Sequence, residues 1–343
     1  MKIAIAGLGS IGRRHFRNLR ALGEQDILLY RSHLATLPDD ELGGFLEETD
    51  FESVLAWRPD ALIVANPTAL HLDIAIPAAE AGCHIFLEKP ISHTLERVDE
   101  LKDAVKRGGG KVFVGFQFRF HPGLRKVAQM LQDGAVGQPL AVHAHWGEYL
   151  PNWHPWEDYK RGYAARPDLG GGVILTLCHP LDYLRWLFGD VQSVWAFAAK
   201  SGGLDIPVED LAEISMQFRS GVIGSVHLNY WQRPSVHRLE IIGTKGTIRW
   251  DNSDGAVLLA QVGLAAAPQP TTAGDWQAFP PPVGFERNHM FMEEIDHFLA
   301  VVRGEAEPIC TLEDGIQALR LAHWAYESAA QGVIVKASEQ LEK

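Results

Sequence analysis

Residues 3–15 read "IAIAGLGSIGRRH". A short apolar run precedes Gly7, Gly9 and Gly12, and a run with helical spacing follows, so G-x-G-x-x-G stands between a strand and a helix. A lone GxGxxG is weak, but its physical use requires this context. Gly7 permits the tight turn, Gly9 lets a pyrophosphate approach the backbone, and Gly12 lets helix and strand pack closely. The helix N-terminus then turns its unsatisfied N–H groups toward the anion. Gly7, Gly9, Ser10, Ile11 and Gly12 therefore form the first part of an expected dinucleotide site.

Outward from this stretch, apolar runs at 27–30, 61–65, 84–87 and 112–116 alternate with helix-like segments at 11–22, 51–57, 69–81 and 95–106. Strands that are apolar throughout and separated by helices predict a parallel sheet covered on both faces. Residues 1–120 are thus expected to be an α/β Rossmann domain with a doubly wound parallel sheet. After residue 121 the pattern changes. A helix is predicted at 122–132, and "LAEISMQFRSGVIGSVHLNYW" then alternates strictly, with Ile214, Met216 and Phe218 on one face and Glu213, Ser215, Gln217 and Arg219 on the other. Ser220-Gly221 is its turn, and "EIIGTKGTIRW" adds a second hairpin around Gly243 to Gly246. Residues 121–343 are expected to be an α+β domain with an open, mostly antiparallel sheet that binds substrate and joins subunits. The polar face of that sheet suits a homo-oligomer, dimer or tetramer, as well as it suits water. Residues 262–284 read as a loop, and helices at 286–302 and 312–331 close the chain, free to pack back on the first domain.

Composition narrows the function. The 343 residues are 46% hydrophobic and 22% charged, which is ordinary for a globular chain with a full core. A net charge of -12, from 31 basic against 43 acidic residues, argues against nucleic acid or an anionic membrane as partner. Cys83, Cys178 and Cys310 are far apart and form no CxxC pair, so neither a disulfide framework nor a thiolate zinc site is expected. No stretch approaches the roughly 18 apolar residues that a membrane span needs. A cytoplasmic setting is the expectation. His143 and His145 share a strand face but have no acidic or thiol partner at useful spacing, so no metal is expected. No GxSxG points to a hydrolase.

At the tip of the second strand an NAD site usually places an acid for the ribose 2'-hydroxyl. Here "LLYRSH" puts Arg31 and Ser32 there, which favours NADP through a 2'-phosphate, with NAD the alternative.

"GLGSIGRRH", "VANPTALH", "FLEKPIS", "GFQFRFHP" and "GGGVILTLCHPLDYLRWLFG" follow one another in the order and spacing of the Gfo/Idh/MocA oxidoreductases, which this chain resembles over nearly its whole length. The resemblance implies nicotinamide-linked chemistry on a sugar or cyclitol. It adds Asn66, Pro67, Thr68, His71, Glu88, Lys89 and Gln117 to the cofactor site, with Thr68 also a candidate helix cap, and it implies a cis bond before Pro90. Lys89 and His179 are the expected catalytic pair. An ammonium can orient and polarise the reacting oxygen, and an imidazole can exchange its proton near neutral pH. Most relatives carry an aspartate shortly before the histidine; here Thr176 stands at that place, and Asp182, one turn after His179, is a candidate substitute. The aromatic segment "WGEYLPNWHPWEDYKRGY", with Trp153, Trp156 and Tyr163, suits sugar CH faces. Arg161, Arg166 and Lys160 nearby suit an anionic sugar group, sialic-acid-like or nucleotide-linked, and Arg119 is a further expected substrate contact. Lys89, Thr176 and His179 complete the expected substrate contacts. Two alternatives remain open at this point: a non-catalytic sensor of cofactor and sugar, and a redox-neutral NAD enzyme that cleaves glycosides.

Overall fold

The computed structural model describes residues 1–33, 37, 40–261 and 276–337. The chain divides into two compact units. The first gathers Met1–Gln117, Arg161–Gly171 and Glu286–Arg320; the second gathers Phe118–Lys160, Gly172–Phe285 and Leu321–Lys343.

The first unit begins β1 (Ile3–Ala6), α1 (Ser10–Ala21), β2 (Ile27–Tyr30), β3 (Leu46–Glu48), α2 (Phe51–Ala56), β4 (Ala61–Val64), α3 (His71–Glu80), β5 (His84–Glu88), α4 (Val98–Gly108) and β6 (Val112–Gly115). Its strands are all parallel in the order β3-β2-β1-β4-β5-β6. Every residue of β1 and β4 is fully buried, as a sheet covered on both faces demands. This is the doubly wound order that binds dinucleotides beyond the strands' carboxyl ends. β3 lies outside the predicted strands. It is a short edge strand of Leu46, Glu47 and Glu48, and a charged edge offers no apolar run to read. Two helices start later than predicted. Thr68–Leu70 forms a 3-10 turn ahead of α3, and Arg97, with φ of 61°, holds a left-handed backbone just before α4.

The second unit contains α5 (Pro122–Gln132), β7 (Pro139–Tyr149), α6 (Val173–Thr176), α7 (His179–Phe188), β8 (Val191–Ala199), β9 (Leu211–Phe218), β10 (Ile223–Asn229), β11 (Trp231–Gly243), β12 (Gly246–Asp251), β13 (Val257–Gln261) and β14 (Gln277–Phe279). After α8 (Arg287–Val302) and α9 (Leu312–Gln331), β15 (Val335–Lys336) joins the same sheet. Its order is β14-β13-β12-β11-β7-β10-β9-β8-β15, antiparallel except where β10 runs parallel to β7. Along β9, Ile214, Met216 and Phe218 are buried while Glu213, Ser215 and Gln217 are exposed, the period-two pattern read from sequence. Of the loop expected at 262–284, residues 262–275 lie outside the described residues. Gln277–Phe279 departs from that expectation by pairing with β13.

Within the first unit α8 packs on α1. Asn288 Nδ2 donates to Asn18 Oδ1 at 2.9 Å, and the Arg14 guanidinium lies 4.5 Å from the Phe291 ring centroid. Among the described residues, no helix is long and apolar enough to cross a membrane, and no group of three or more His, Cys, Asp or Glu could hold a metal ion.

His121 caps α5, its Nδ1 accepting the Gly123 N–H at 2.9 Å. Burial among Phe118, Trp250 and Phe285 pushes its pKa down from 6.5 to about 4. The unfolded chain therefore binds a proton that the folded chain refuses. The stability involved is fully present above pH 6.5 and is lost as pH falls toward 4. His121→Asn keeps the cap and removes the titration. Urea midpoints at pH 7.5 and pH 5 should differ less in this variant than in wild type; an equal difference contradicts the assignment.

Candidate active site

The first unit supplies a cofactor cradle. Gly7 holds φ of +94°, and a Cβ there would meet the Asn66 backbone nitrogen at 2.5 Å. A Cβ on Gly12 would fall 1.9 Å from the Gly7 carbonyl oxygen, so the helix can approach the strand only with glycine there. At Gly9 nothing lies within 4 Å, leaving the space a pyrophosphate needs. Gly9 is also the N-cap of α1 and makes no side-chain cap, so the helix N–H groups face outward. Asn66 donates from Nδ2 to the Leu70 carbonyl at 3.1 Å, and its buried Oδ1 has no hydrogen-bond partner among the described residues. Open backbone at Gly9 and a spare acceptor at Asn66 both fit a dinucleotide.

The tips of β4 and β5 are tied together by one histidine. His71 is buried with Nδ1 2.9 Å from the Pro90 carbonyl and Nε2 2.9 Å from the Asn66 carbonyl. Burial holds its pKa below the ordinary histidine value. Glu88 is buried, and its Oε1 accepts from His15 Nε2 of α1 at 2.6 Å. The other carboxylate oxygen accepts the Lys89 backbone N–H at 3.2 Å. A Cβ on Gly115 of β6 would sit 3.2 Å from that same oxygen, so the glycine makes room for the carboxylate. Lys89 follows half-buried, and the Lys89–Pro90 peptide is cis. Thr68 is buried but starts the 3-10 turn after Pro67 and caps no helix, contrary to the sequence expectation. Gln117 is buried in the turn after β6.

At the tip of β2, Arg31 is only 6% exposed, and its Nη1 lies 3.4 Å from Glu47 Oε2 of β3. His33 Nε2 lies 2.8 Å from Glu47 Oε1. Ser32 is exposed between them. The expected phosphate-binding cation thus has a carboxylate beside it.

The second unit supplies His179 at the start of α7, 2% exposed. Its ring meets Phe118 edge-on at 5.0 Å and Trp146 at 5.3 Å. Trp146 in turn stacks on His237 at 4.3 Å, and His237 Nε2 lies 3.2 Å from the Tyr183 hydroxyl. Asp182 is held by Arg119 in a bidentate pair, Nη2 to Oδ1 at 2.7 Å and Nε to Oδ2 at 3.0 Å, both groups buried. Arg119, expected to meet substrate, is the guanidinium of that pair. Thr176 ends α6, buried. The segment before it is fixed by Glu209, which accepts from the Ile174 N–H at 3.2 Å and the Tyr326 hydroxyl at 2.8 Å. Burial raises the Glu209 pKa.

The remaining expected substrate residues are spread out. Trp153 packs edge-on against Tyr230 at 5.7 Å. Trp156 is 61% exposed, and Tyr163 is exposed as well. Arg166 is exposed and paired with Asp168. Lys89, Tyr163 and Arg166 belong to the first unit, and Arg119, Trp153, Trp156, Thr176 and His179 to the second. Sequence reasoning missed His15, Glu47, Trp146 as a neighbour of His179, and Glu209. His15 carried a signal as the last residue of "GLGSIGRRH", and Trp146 as the first of the aromatic segment.

With this geometry in view, residues 1–116 match the model of the oxidoreductase family's NAD-binding Rossmann fold, and residues 124–249 match that of the GFO/IDH/MocA C-terminal domain. The chain belongs to the Gfo/Idh/MocA oxidoreductases. It is similar to myo-inositol 2-dehydrogenase of Thermotoga maritima, 27% identical over 99% of each chain. Among solved structures, levoglucosan dehydrogenase in complex with NADH shares the fold with a TM-score of 0.84 at 21% identity, over 98% of this chain and 99% of that one. The WlbA dehydrogenase of Bordetella pertussis, in complex with NADH and UDP-GlcNAcA, gives 0.79 at 24% identity, over 98% and 99%.

Removing one partner of the buried Arg119–Asp182 pair leaves an uncompensated charge. Asp182→Ala should cost about 3–5 kcal/mol in urea unfolding, whereas replacing both residues by apolar ones should recover most of that loss. A cost below about 1 kcal/mol for the single variant contradicts a desolvated pair.

Proposed function

We propose that the protein transfers a hydride between a nicotinamide dinucleotide and a hydroxyl-bearing carbon of a sugar, cyclitol or sugar acid. One observation carries this most directly. Lys89 stands at the carboxyl end of β5 in a parallel sheet whose first turn is a glycine cradle open to a pyrophosphate. The relatives support the class: a myo-inositol 2-dehydrogenase, a levoglucosan dehydrogenase in complex with levoglucosan and a dehydrogenase in complex with UDP-GlcNAcA. Gly7, Gly9, Ser10, Ile11 and Gly12 would hold the pyrophosphate end. Asn66, Pro67, Thr68, His71, Glu88 and Gln117, at or just after the strand tips, would hold the nicotinamide half. The bound nicotinamide supplies the hydride donor or acceptor. Lys89 Nζ donates a hydrogen bond to the reacting oxygen and stabilises negative charge there, and a ring nitrogen of His179 takes or returns the hydroxyl proton.

The division expected from sequence, 1–120 for cofactor and 121–343 for substrate and subunit contact, is kept as the functional proposal, with residues 161–171 and 286–320 of the latter packing in the first unit. Phe197 at 65% and Ile223 at 62% exposure on the large sheet support a homo-oligomer formed through it. A cytoplasmic setting agrees with three buried cysteines in no disulfide. NADP preference was expected from Arg31 pairing with a 2'-phosphate and Ser32 donating to it; Glu47 beside Arg31 weakens that case. Thr176 in place of a carboxylate is the observation that favours a second reading, a cofactor-bound sensor without turnover.

Mixing the protein with NAD or NADP and a panel of sugars, cyclitols and sugar acids should give reduced cofactor with at least one compound. Lys89→Ala and His179→Ala should each lower kcat by about 10²-fold or more while cofactor binding persists. Tight cofactor binding with no turnover on any compound favours the sensor, and full activity in either variant removes that residue from the mechanism.

A further inference from the structure

The geometry points to Glu47 as the residue that reads the adenosine ribose, so that the chain takes NAD(H) in preference to NADP(H). This rests on the dinucleotide-dependent reading above. Dinucleotide folds usually discriminate with the side chain at the tip of the second strand. Here that position is Arg31, but β3 runs parallel beside β2 with Tyr30 opposite Glu48, so both strands end at the same edge of the sheet. The Arg31 backbone N–H donates to the Glu48 carbonyl at 3.1 Å, which fixes the two tips in register.

The side chains then set the charge. Glu47 Oε2 lies 3.4 Å from Arg31 Nη1, and Glu47 Oε1 lies 2.8 Å from His33 Nε2. The Glu47 carboxylate thus stands between the Arg31 guanidinium and the His33 ring. Arg31 is buried, whereas Glu47 is 36% exposed and within reach of an incoming ligand. An ionised carboxylate can only accept hydrogen bonds. It suits the two hydroxyls of a ribose, and it repels a 2'-phosphate that brings close to two negative charges of its own. A phosphate would also have to compete with Glu47 for Arg31. Ser32, exposed at the same tip, adds a neutral hydroxyl that suits the diol equally well.

The test is calorimetric titration of the full chain with NAD and with NADP, which needs no sugar and no turnover. Wild type should bind NAD more tightly. Glu47→Gln should tighten NADP and weaken NAD, moving the ratio of dissociation constants by about tenfold or more toward NADP. Glu47→Asp, which keeps the charge, should still reject NADP. It serves as the second readout if the amide variant does not fold. An unchanged ratio in Glu47→Gln, or weaker NADP binding because Arg31 has lost its support, overturns the proposal and leaves the hydride-transfer reading standing. Wild type that binds neither dinucleotide overturns both.

Discussion

A hydrogen bond buried under the first sheet holds the cofactor half of this protein together. His15 sits on α1, whose N-terminus must face an anion, and Glu88 sits on the last position of β5, one residue before Lys89. Their side chains meet at 2.6 Å with His15 fully buried. A buried carboxylate is costly without donors. This one has two, the His15 ring and the Lys89 backbone N–H. The helix that presents the glycine loop and the strand that presents the lysine therefore cannot shift separately. Phe86 at 4.8 Å and Phe291 at 6.5 Å surround the His15 ring and keep water from competing for the bond.

The second unit solves a similar problem with rings and a capped turn. His179 opens α7 against Phe118 and Trp146, and the Arg119–Asp182 pair anchors the next turn of the same helix. Glu209 and Tyr326 hold the segment leading into it. Thr176 rather than a carboxylate stands shortly before the histidine, and Asp182, the next buried carboxylate after it, is engaged by the Arg119 guanidinium. Packing against Phe118 and Trp146 and its place at the start of α7 help to position His179.

Sequence periodicity was enough for the scaffold. Fully apolar runs marked the central parallel strands, and strict alternation marked the β9–β10 hairpin with its buried Ile214, Met216 and Phe218. It failed where an element carries no core face, as in β3, whose three residues include two glutamates. That omission had a chemical consequence, because without β3 Arg31 looked like an unopposed cation. Likewise, the partners of Glu88 and Arg119 lie 73 and 63 positions away, so no local pattern could pair them. The individual motif residues were legible; their hydrogen-bond partners were fixed by the tertiary fold.

The coupling of glycine loop to lysine tip through His15 and Glu88 is the claim on which the cofactor site rests. Fluorescence titration of NADH into His15→Phe tests it directly, since a phenyl ring fills the same aromatic surroundings but donates nothing to Glu88. The account predicts a folded protein whose NADH affinity falls by about tenfold or more, with the buried carboxylate left short of one donor. Wild-type NADH affinity in a folded His15→Phe variant would contradict it.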